Sequence, residues 1–332
     1  MDILEQSYTF GDSPLREDPT LLTTERDFYI FGGHIAQSLS PRLQNLMFSA
    51  RGVPWHFSLC QTTNPDDFST KLHDGRCLGA SITMPNKVTF ATRLDAQTDE
   101  AKVIGAVNTG FVRRQNGQKK WIGTNTDCVG IREAVLARFP DAASQTRGRP
   151  AMILGAGGAA RSAVYALWRW FGVSEIYVVN RLKLEVDALK ESFDKTVTLR
   201  YVSSLDEVAK LELPQIIIGT VPDLPPQDAD EIRCRAILDA VLGRDRDNAK
   251  RIVVDMCYMP SPQTALYNTA AANGWRVVSG TEVVARVCIA QHILWMEKDV
   301  EESTVQKLMA VVEESVGASR KPNTPAHPAA KL

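Results

Sequence analysis

The sequence predicts an α/β protein of two units, one of them a doubly wound parallel sheet. Three observations carry that prediction. Strand-like apolar runs alternate with helical periods from Phe28 onward, six short apolar runs in the second half are interleaved with helices, and a glycine-rich turn follows the first of those six and opens a helix. At 332 residues, and with roughly 150 residues per domain, two domains are favoured over one.

The first 25 residues are polar with no sustained period, and the tail from Gly317 is rich in Pro, Ala and Lys. Disorder is therefore expected over 1–25 and 317–332. Tyr29-Ile30-Phe31 is an apolar run ending in Gly32-Gly33. Ser40-Pro41 then opens a helical pattern through Leu43, Leu46, Met47 and Ala50 that Gly52 closes. Ser is a good N-cap, Pro suits the first helical position and Gly suits the position past the end. Residues 55–60 alternate as a strand, Asp66 begins a helix, and 78–84 is a short strand ending in Pro85. Asn116-Gly117, between Gly110-Phe111-Val112 and Trp121-Ile122-Gly123, reads as a hairpin turn that sets a non-parallel strand beside parallel ones. A helix over about 128–139 leads to the polar stretch 144–150, whose Gly and Pro mark a connection between domains. Strands are expected at 151–154, 176–179, 197–202, 216–219, 252–255 and 276–278. Two helical periods, 283–295 and 300–316, follow with no further strand and could cap either domain.

Composition excludes several classes of function. With 38 Lys and Arg against 39 Asp and Glu, the net charge of −1 gives no footprint for a polyanion, so nucleic acid is not an expected partner. A hydrophobic share of 44% contains no apolar run near the roughly 18 residues of a membrane span. The acidic start lacks the basic and apolar regions of a secretory signal, so the chain reads as soluble and cytoplasmic. Six cysteines without a C-x-x-C pair and five histidines without ligand spacing suggest neither disulfides nor a metal.

The run Gly155-Ala156-Gly157-Gly158-Ala159 joins a strand to a helix whose apolar members include Val164, Leu167 and Phe171. Glycines there let the backbone approach a pyrophosphate, whose charge meets the free N–H groups of the helix start. A glycine turn with no ligand is the alternative; the strand, helix and second strand ending at Val179 favour a dinucleotide. That second strand ends in Asn180-Arg181, where an acid would hold the ribose of NAD. With Arg181 and Lys183 there the pattern leans toward NADP over NAD, and Glu185 close by opposes the lean.

Four segments ahead of the glycine turn, SLS at 38–40, SITMPNK at 81–87, GAVNT at 105–109 and GTNTD at 123–127, resemble in order and spacing the shikimate and quinate dehydrogenases. The GTNTDCVG and GAGGAAR stretches and the MPNK variant are most similar to the fungal branch. The resemblance covers about 28–295. It implies a substrate-binding α/β domain, 26–143 plus 283–316, with a Rossmann NAD(P)-binding domain, 149–282, inserted. It also implies an oxidoreductase with a small cyclic hydroxy carboxylate as partner, acting as a monomer or homodimer.

Oxidising a ring hydroxyl needs a group that takes or shares its proton and a rigid partner beside that group. Lys87 is assigned the proton and Asp127 the orienting role, against the bland alternative of a surface ion pair. The resemblance aligns Asn108 and Thr83 with residues that bind substrate hydroxyls; Asn125 stands nearby, with turn chemistry as its alternative. Ser38 and Ser40 form a seat for a carboxylate, although Ser40 also suits a plain N-cap. Tyr258 aligns with a tyrosine near that carboxylate, and Gly280 with the start of the closing motif beside the cofactor. Three departures stand out. Val287 replaces a substrate-binding glutamine, which Gln291 one turn later could replace; Ser81 stands for Asn; and Ile218-Gly219-Thr220-Val221-Pro222 replaces N-A-T-S. They leave open a dehydrogenase of another cyclic acid, or a non-catalytic quinate-pathway sensor.

Overall fold

Two six-stranded sheets organise the chain in the computed structural model, which describes residues 3–193, 197–244 and 250–318. The first part of the chain runs α1 (Ile3–Ser7), α2 (Pro14–Glu17), β1 (Arg26–Gly32), α3 (Ser40–Arg51), β2 (Trp55–Gln61), α4 (Pro65–His73) and β3 (Cys77–Ile82). It continues through β4 (Ala96–Gln97), α5 (Asp99–Ile104), β5 (Thr109–Gln115), β6 (Gln118–Thr124), α6 (Asp127–Arg138) and α7 (Ala142–Thr146). The sheet order is β2-β1-β3-β5-β6-β4. β1 pairs parallel with β2 and β3, whereas β5 runs antiparallel to both β3 and β6. Asn116 and Gly117 close the β5–β6 hairpin with φ of 52° and 73°, the left-handed pair that a two-residue turn requires. Phe28 anchors the core of this sheet, its ring 4.8–5.1 Å from those of Phe48, Trp55 and Trp295.

The second part runs β7 (Ala151–Leu154), α8 (Gly158–Arg169), β8 (Ile176–Val179), α9 (Lys183–Ser192), β9 (Leu199–Tyr201), α10 (Leu205–Lys210) and β10 (Ile216–Gly219). α11 (Ala229–Gly243), β11 (Ile252–Asp255), α12 (Ala265–Ala272) and β12 (Arg276–Val278) complete the sheet. Its order, β12-β11-β10-β7-β8-β9, is wholly parallel and reverses direction between β7 and β10. That is the doubly wound order, and ligands bind at the carboxyl ends of its strands where the order reverses. The six expected strands are all present. β9 is shorter than expected, and β3 stops at Ile82, short of Met84.

α13 (Gly280–Met296) and α14 (Glu302–Ala318) follow. They join the first sheet: Trp295 Nε1 donates to the Gly110 carbonyl at 3.0 Å, and Leu43 and Met47 of α3 pack with Ala285, Cys288, Leu308 and Val312. α6 crosses α13 at Gly130, where a Cβ would lie 2.4 Å from Val287 Cγ2 and 3.0 Å from the Val283 carbonyl.

Two sequence expectations need correction. Residues 3–25 are ordered, because Ser13 and Asp18 cap short helices that begin with Pro14 and Pro19 and because long-range partners hold them. Arg113, 1% exposed, pairs with Glu297 at 3.1 Å and also reaches Ser7; Tyr8 donates to Glu297 at 3.0 Å; and Trp55 Nε1 donates to the Leu21 carbonyl. At the other end the helix reaches Ala318, so the expected disorder at 317 and 318 fails, while 1–2 and 319–332 lie outside the described residues. Second, Ser40 is not the N-cap of α3. Leu39 holds that position, and Ser38 Oγ accepts from the Ser40 backbone N at 3.3 Å. Among the described residues no helix is long and apolar enough to cross a membrane.

Candidate active site

Lys87 sits in the turn after β3, its carbonyl tied to the Val107 backbone N at 2.8 Å. Asp127 opens α6, a favourable end for a negative charge. Lys87 Nζ and Asp127 Oδ2 form an ion pair with side chains only 14% and 10% exposed. Asn108 Nδ2 holds the other carboxylate oxygen at 2.7 Å. Asn108 Oδ1 in turn accepts from Thr126 N at 2.7 Å and Thr109 Oγ1 at 2.8 Å. One amide hydrogen of Asn108 is left for a ligand; the rest of the side chain orients Asp127. Thr83, four residues before Lys87 in the chain, is half-buried and its hydroxyl has no partner among the described residues.

Asn125 does the turn work that was its alternative. Its Oδ1 accepts from the backbone N of Asp127 and Cys128 and from Ser162 Oγ on α8, and its amide donates to the Ala106 carbonyl. Gln291 is fully enclosed and donates to Ser81 Oγ at 3.1 Å and Thr109 Oγ1 at 3.0 Å, while accepting from Gln44. Both its amide hydrogens are spent, so its reach to Asp127 runs through Thr109 and Asn108. Val287 faces Gly130 in the helix crossing.

Ser38 and Ser40 take different partners. Ser40 turns to the Cys288 thiol, which burial pushes up to about 12, while Ser38 meets Tyr258 from the loop after β11. Burial pushes the Tyr258 phenol up, and the Ser38 hydroxyl and Leu39 backbone act against that rise. Gly280 is the first residue of α13; a Cβ there would lie 2.6 Å from the Cys257 carbonyl, so only glycine allows this approach.

The glycine turn lies at the reversal point of the second sheet. Gly155 has φ of 111° and a Cβ there would strike Thr220 Oγ1 at 2.4 Å. Gly157 caps α8 with no side-chain bond and has open space where a Cβ would be. Ala156 is buried beneath the turn, and Ala159 is half-buried in the first turn of α8. Free helix N–H groups under open space suit a pyrophosphate. At Gly158 a Cβ would sit 3.6 Å from Lys87 Cδ, so the Lys87 stem lies next to the start of α8. At the end of β8, Asn180 Nδ2 donates to Glu185 at 2.7 Å, and Arg181 pairs with Glu231 at 2.8 Å.

Thr109, Thr126, Ser162 and Gly130 escaped the sequence reading. An isolated glycine inside a helical period was the signal for Gly130; the three hydroxyls carry none.

A doubly wound sheet with its glycine turn against a lysine–carboxylate pair defines a dinucleotide-dependent oxidoreductase. The family described as "Shikimate dehydrogenase substrate binding domain" matches residues 30–109. The chain is 36% identical to quinate dehydrogenase of Emericella nidulans over 327 residues, 92% of this chain and 99% of that one. It is 26% identical to a dehydroquinate dehydratase and shikimate dehydrogenase from S. pombe, with a TM-score of 0.71 over 86% of this chain and 53% of that longer protein. Shikimate dehydrogenase from Aquifex aeolicus is also 26% identical, with a TM-score of 0.68 over 86% of this chain and 97% of that one. The chain belongs to the shikimate and quinate dehydrogenase family.

Proposed function

We propose that the chain interconverts a ring hydroxyl and a ketone on a polyhydroxylated cyclic carboxylate, quinate or shikimate, using a nicotinamide dinucleotide. Residues 149–282 bind the dinucleotide, and the sheet β1–β6 with α13 and α14 binds the acid. The observation that carries this reading is the enclosed Lys87–Asp127 pair, drawn from the turn after β3 and the start of α6, with the Lys87 stem next to the glycine cradle. When bound, the nicotinamide supplies the carbon that accepts the hydride. In reduction the Lys87 ammonium gives a proton from Nζ to the carbonyl oxygen, and in oxidation Nζ takes the hydroxyl proton as the neutral amine, becoming the ammonium. Asp127, fixed by Asn108 and the α6 start, holds Nζ in line, and its carboxylate stands against the ammonium charge. Thr83, the free hydrogen of Asn108, Ser38 and Tyr258 bind the acid's hydroxyls and carboxylate. The non-catalytic sensor reading leaves this enclosed pair without a purpose.

For the dinucleotide, the packing favours NAD. Arg181 and Lys183, the two cations that would hold a 2′-phosphate, are engaged by Glu231 and Asp187, and Glu185 is drawn to Asn180. Asn180 thus brings a carboxylate, Glu185, to the strand end where an acid accepts ribose hydroxyls and repels a 2′-phosphate.

The test is reduction of NAD or NADP by purified protein with quinate, shikimate and other cyclic hydroxy acids. Lys87→Ala should cut turnover by about 10²–10⁴-fold with dinucleotide binding retained. Near-normal turnover in that variant, or no dinucleotide reduction by the parent with any of the acids, would overturn the reading.

A further inference from the structure

On the face of α6 opposite Asp127 lies a cleft of about 400 Å³. Asp127 stands at the start of α6, whereas Val129, Arg132 and Glu133 line the cleft, roughly half a helical turn away around the axis. Its walls belong to both sheets: α13 contributes Arg286 and Ile289, and α8 with the residue after it contributes Tyr165, Arg169 and Trp170. Phe111, Ile293 and Leu294 add apolar side chains to a lining that also carries Gln6, Thr98 and Asn125.

Charge in the cleft is unbalanced toward cations, with three arginines against Glu100 and Glu133. Glu133 is taken by Arg132 at 2.6 Å, and that guanidinium lies 4.6 Å over the Trp170 ring. Arg169 interacts with the Tyr165 phenol. Arg286 has no ion pair or hydrogen bond among the described residues. Tyr165 and Trp170 stand edge to face, 5.5 Å apart. An unpaired guanidinium in a cleft that also presents aromatic and aliphatic side chains suits a ligand with one acidic group and one apolar ring.

We propose that this cleft is a second binding site, separate from that of Lys87, for a small aromatic carboxylate. Its carboxylate pairs with Arg286, and its ring lies against Trp170, Tyr165 and Ile289. Such a ligand touches α8, which begins at the glycine cradle, and α13 together, so occupancy spans both sheets.

The experiment is calorimetric titration of the full chain with 3-phenylpropionate and, as the neutral control, 3-phenylpropanamide. The acid should bind saturably at one site and the amide about tenfold or more weakly. Arg286→Ala should weaken the acid by about tenfold and leave the amide unchanged, with Arg286→Lys retaining part of the affinity. Saturating quinate should not displace the acid. Absence of saturable binding by the parent, equal affinity in Arg286→Ala, or displacement by quinate would each overturn the proposal. Circular dichroism and thermal unfolding of the variants separate a lost ligand contact from a lost fold. Binding is read without turnover, so failure here leaves the dehydrogenase reading standing.

Discussion

Two buried titratable groups, one against each sheet, drive stability in opposite directions with pH. His292 on α13 is fully enclosed with neither ring nitrogen partnered, and burial, helped by the Arg51 charge, pulls its pKa down to about 3. The unfolded chain takes up a proton at His292 below about pH 6.5, and the folded chain refuses it. Stability is therefore present above that value and lost as pH falls toward about 3. Asp255, at the end of β11, behaves the other way. Burial pushes its pKa up to about 6 against the hydrogen bonds from Thr264 and the Cys257 backbone. The folded chain keeps a proton there that the unfolded chain has released, so this contribution is full below the unfolded pKa of about 3.9 and lost as pH rises through about 6. Between about pH 4 and 6 the two slopes, each about 1.4 kcal/mol per pH unit, oppose one another. His292→Leu removes one of them. Between about pH 6 and pH 4.5, over about 1.5 units, its stability relative to the parent should rise by about 2 kcal/mol, whatever packing change it carries at both pH values. Asp255→Asn should shift by a similar amount in the opposite sense. Urea unfolding of the three proteins at both pH values measures this; a His292→Leu difference that stays constant between them would refute the account of a histidine held neutral.

Gly130→Ala should cost about 1–3 kcal/mol in urea unfolding by forcing α6 away from α13, and Val287→Gln should bury an amide there without improving kcat/KM for quinate or shikimate; an improvement would put residue 287 against the ligand. Gln291→Ala should lower kcat by about tenfold with little change in KM, because Gln291 reaches Asp127 only through Thr109 and Asn108; a rise in KM alone would mean direct contact with the acid. Glu185→Arg should move the ratio of kcat/KM values toward NADP by about tenfold or more, and an unchanged ratio in paired assays would show that Glu185 does not face the ribose. Arg113→Met should destabilise by about 3–5 kcal/mol through the stranded Glu297 charge, and adding Glu297→Leu should restore much of it; equal losses in single and double variants would count against a buried pair.

Elements set by local chemistry were legible. The hairpin followed from Asn116-Gly117, and the six parallel strands from short apolar runs between helices. The glycine turn followed from its place between a strand and a helix. Contacts between residues distant in sequence were not legible from spacing. Lys87 and Asp127 are 40 residues apart, so their pairing came from the resemblance alone. Arg181 looked free because Glu231 is 50 residues away. Gln291 looked available because nothing local shows that Ser81 and Thr109 consume its amide. The ordered N-terminal segment was missed although Ser13-Pro14 and Asp18-Pro19 repeat the Ser-Pro signal used at position 40. Helices of four or five residues leave no period to detect, and their hold comes from Arg113 and Glu297.

The late arrival of α13 governs how the chain must fold as it is synthesised. Gly110 waits 185 residues for Trp295, and Ser81 waits 210 for Gln291. At roughly 5–20 residues per second, the first of these delays lasts about 10–40 s on the ribosome. During that interval the strands β1–β6 stand beside α3 with a buried glutamine, serine and threonine lacking their partner and one wall of the Phe28 cluster missing. The doubly wound sheet, whose strands all lie between residues 151 and 278, can close on its own within the same interval. The earlier half of the chain is thus the later to finish, and it spends longest exposed to aggregation and to chaperones.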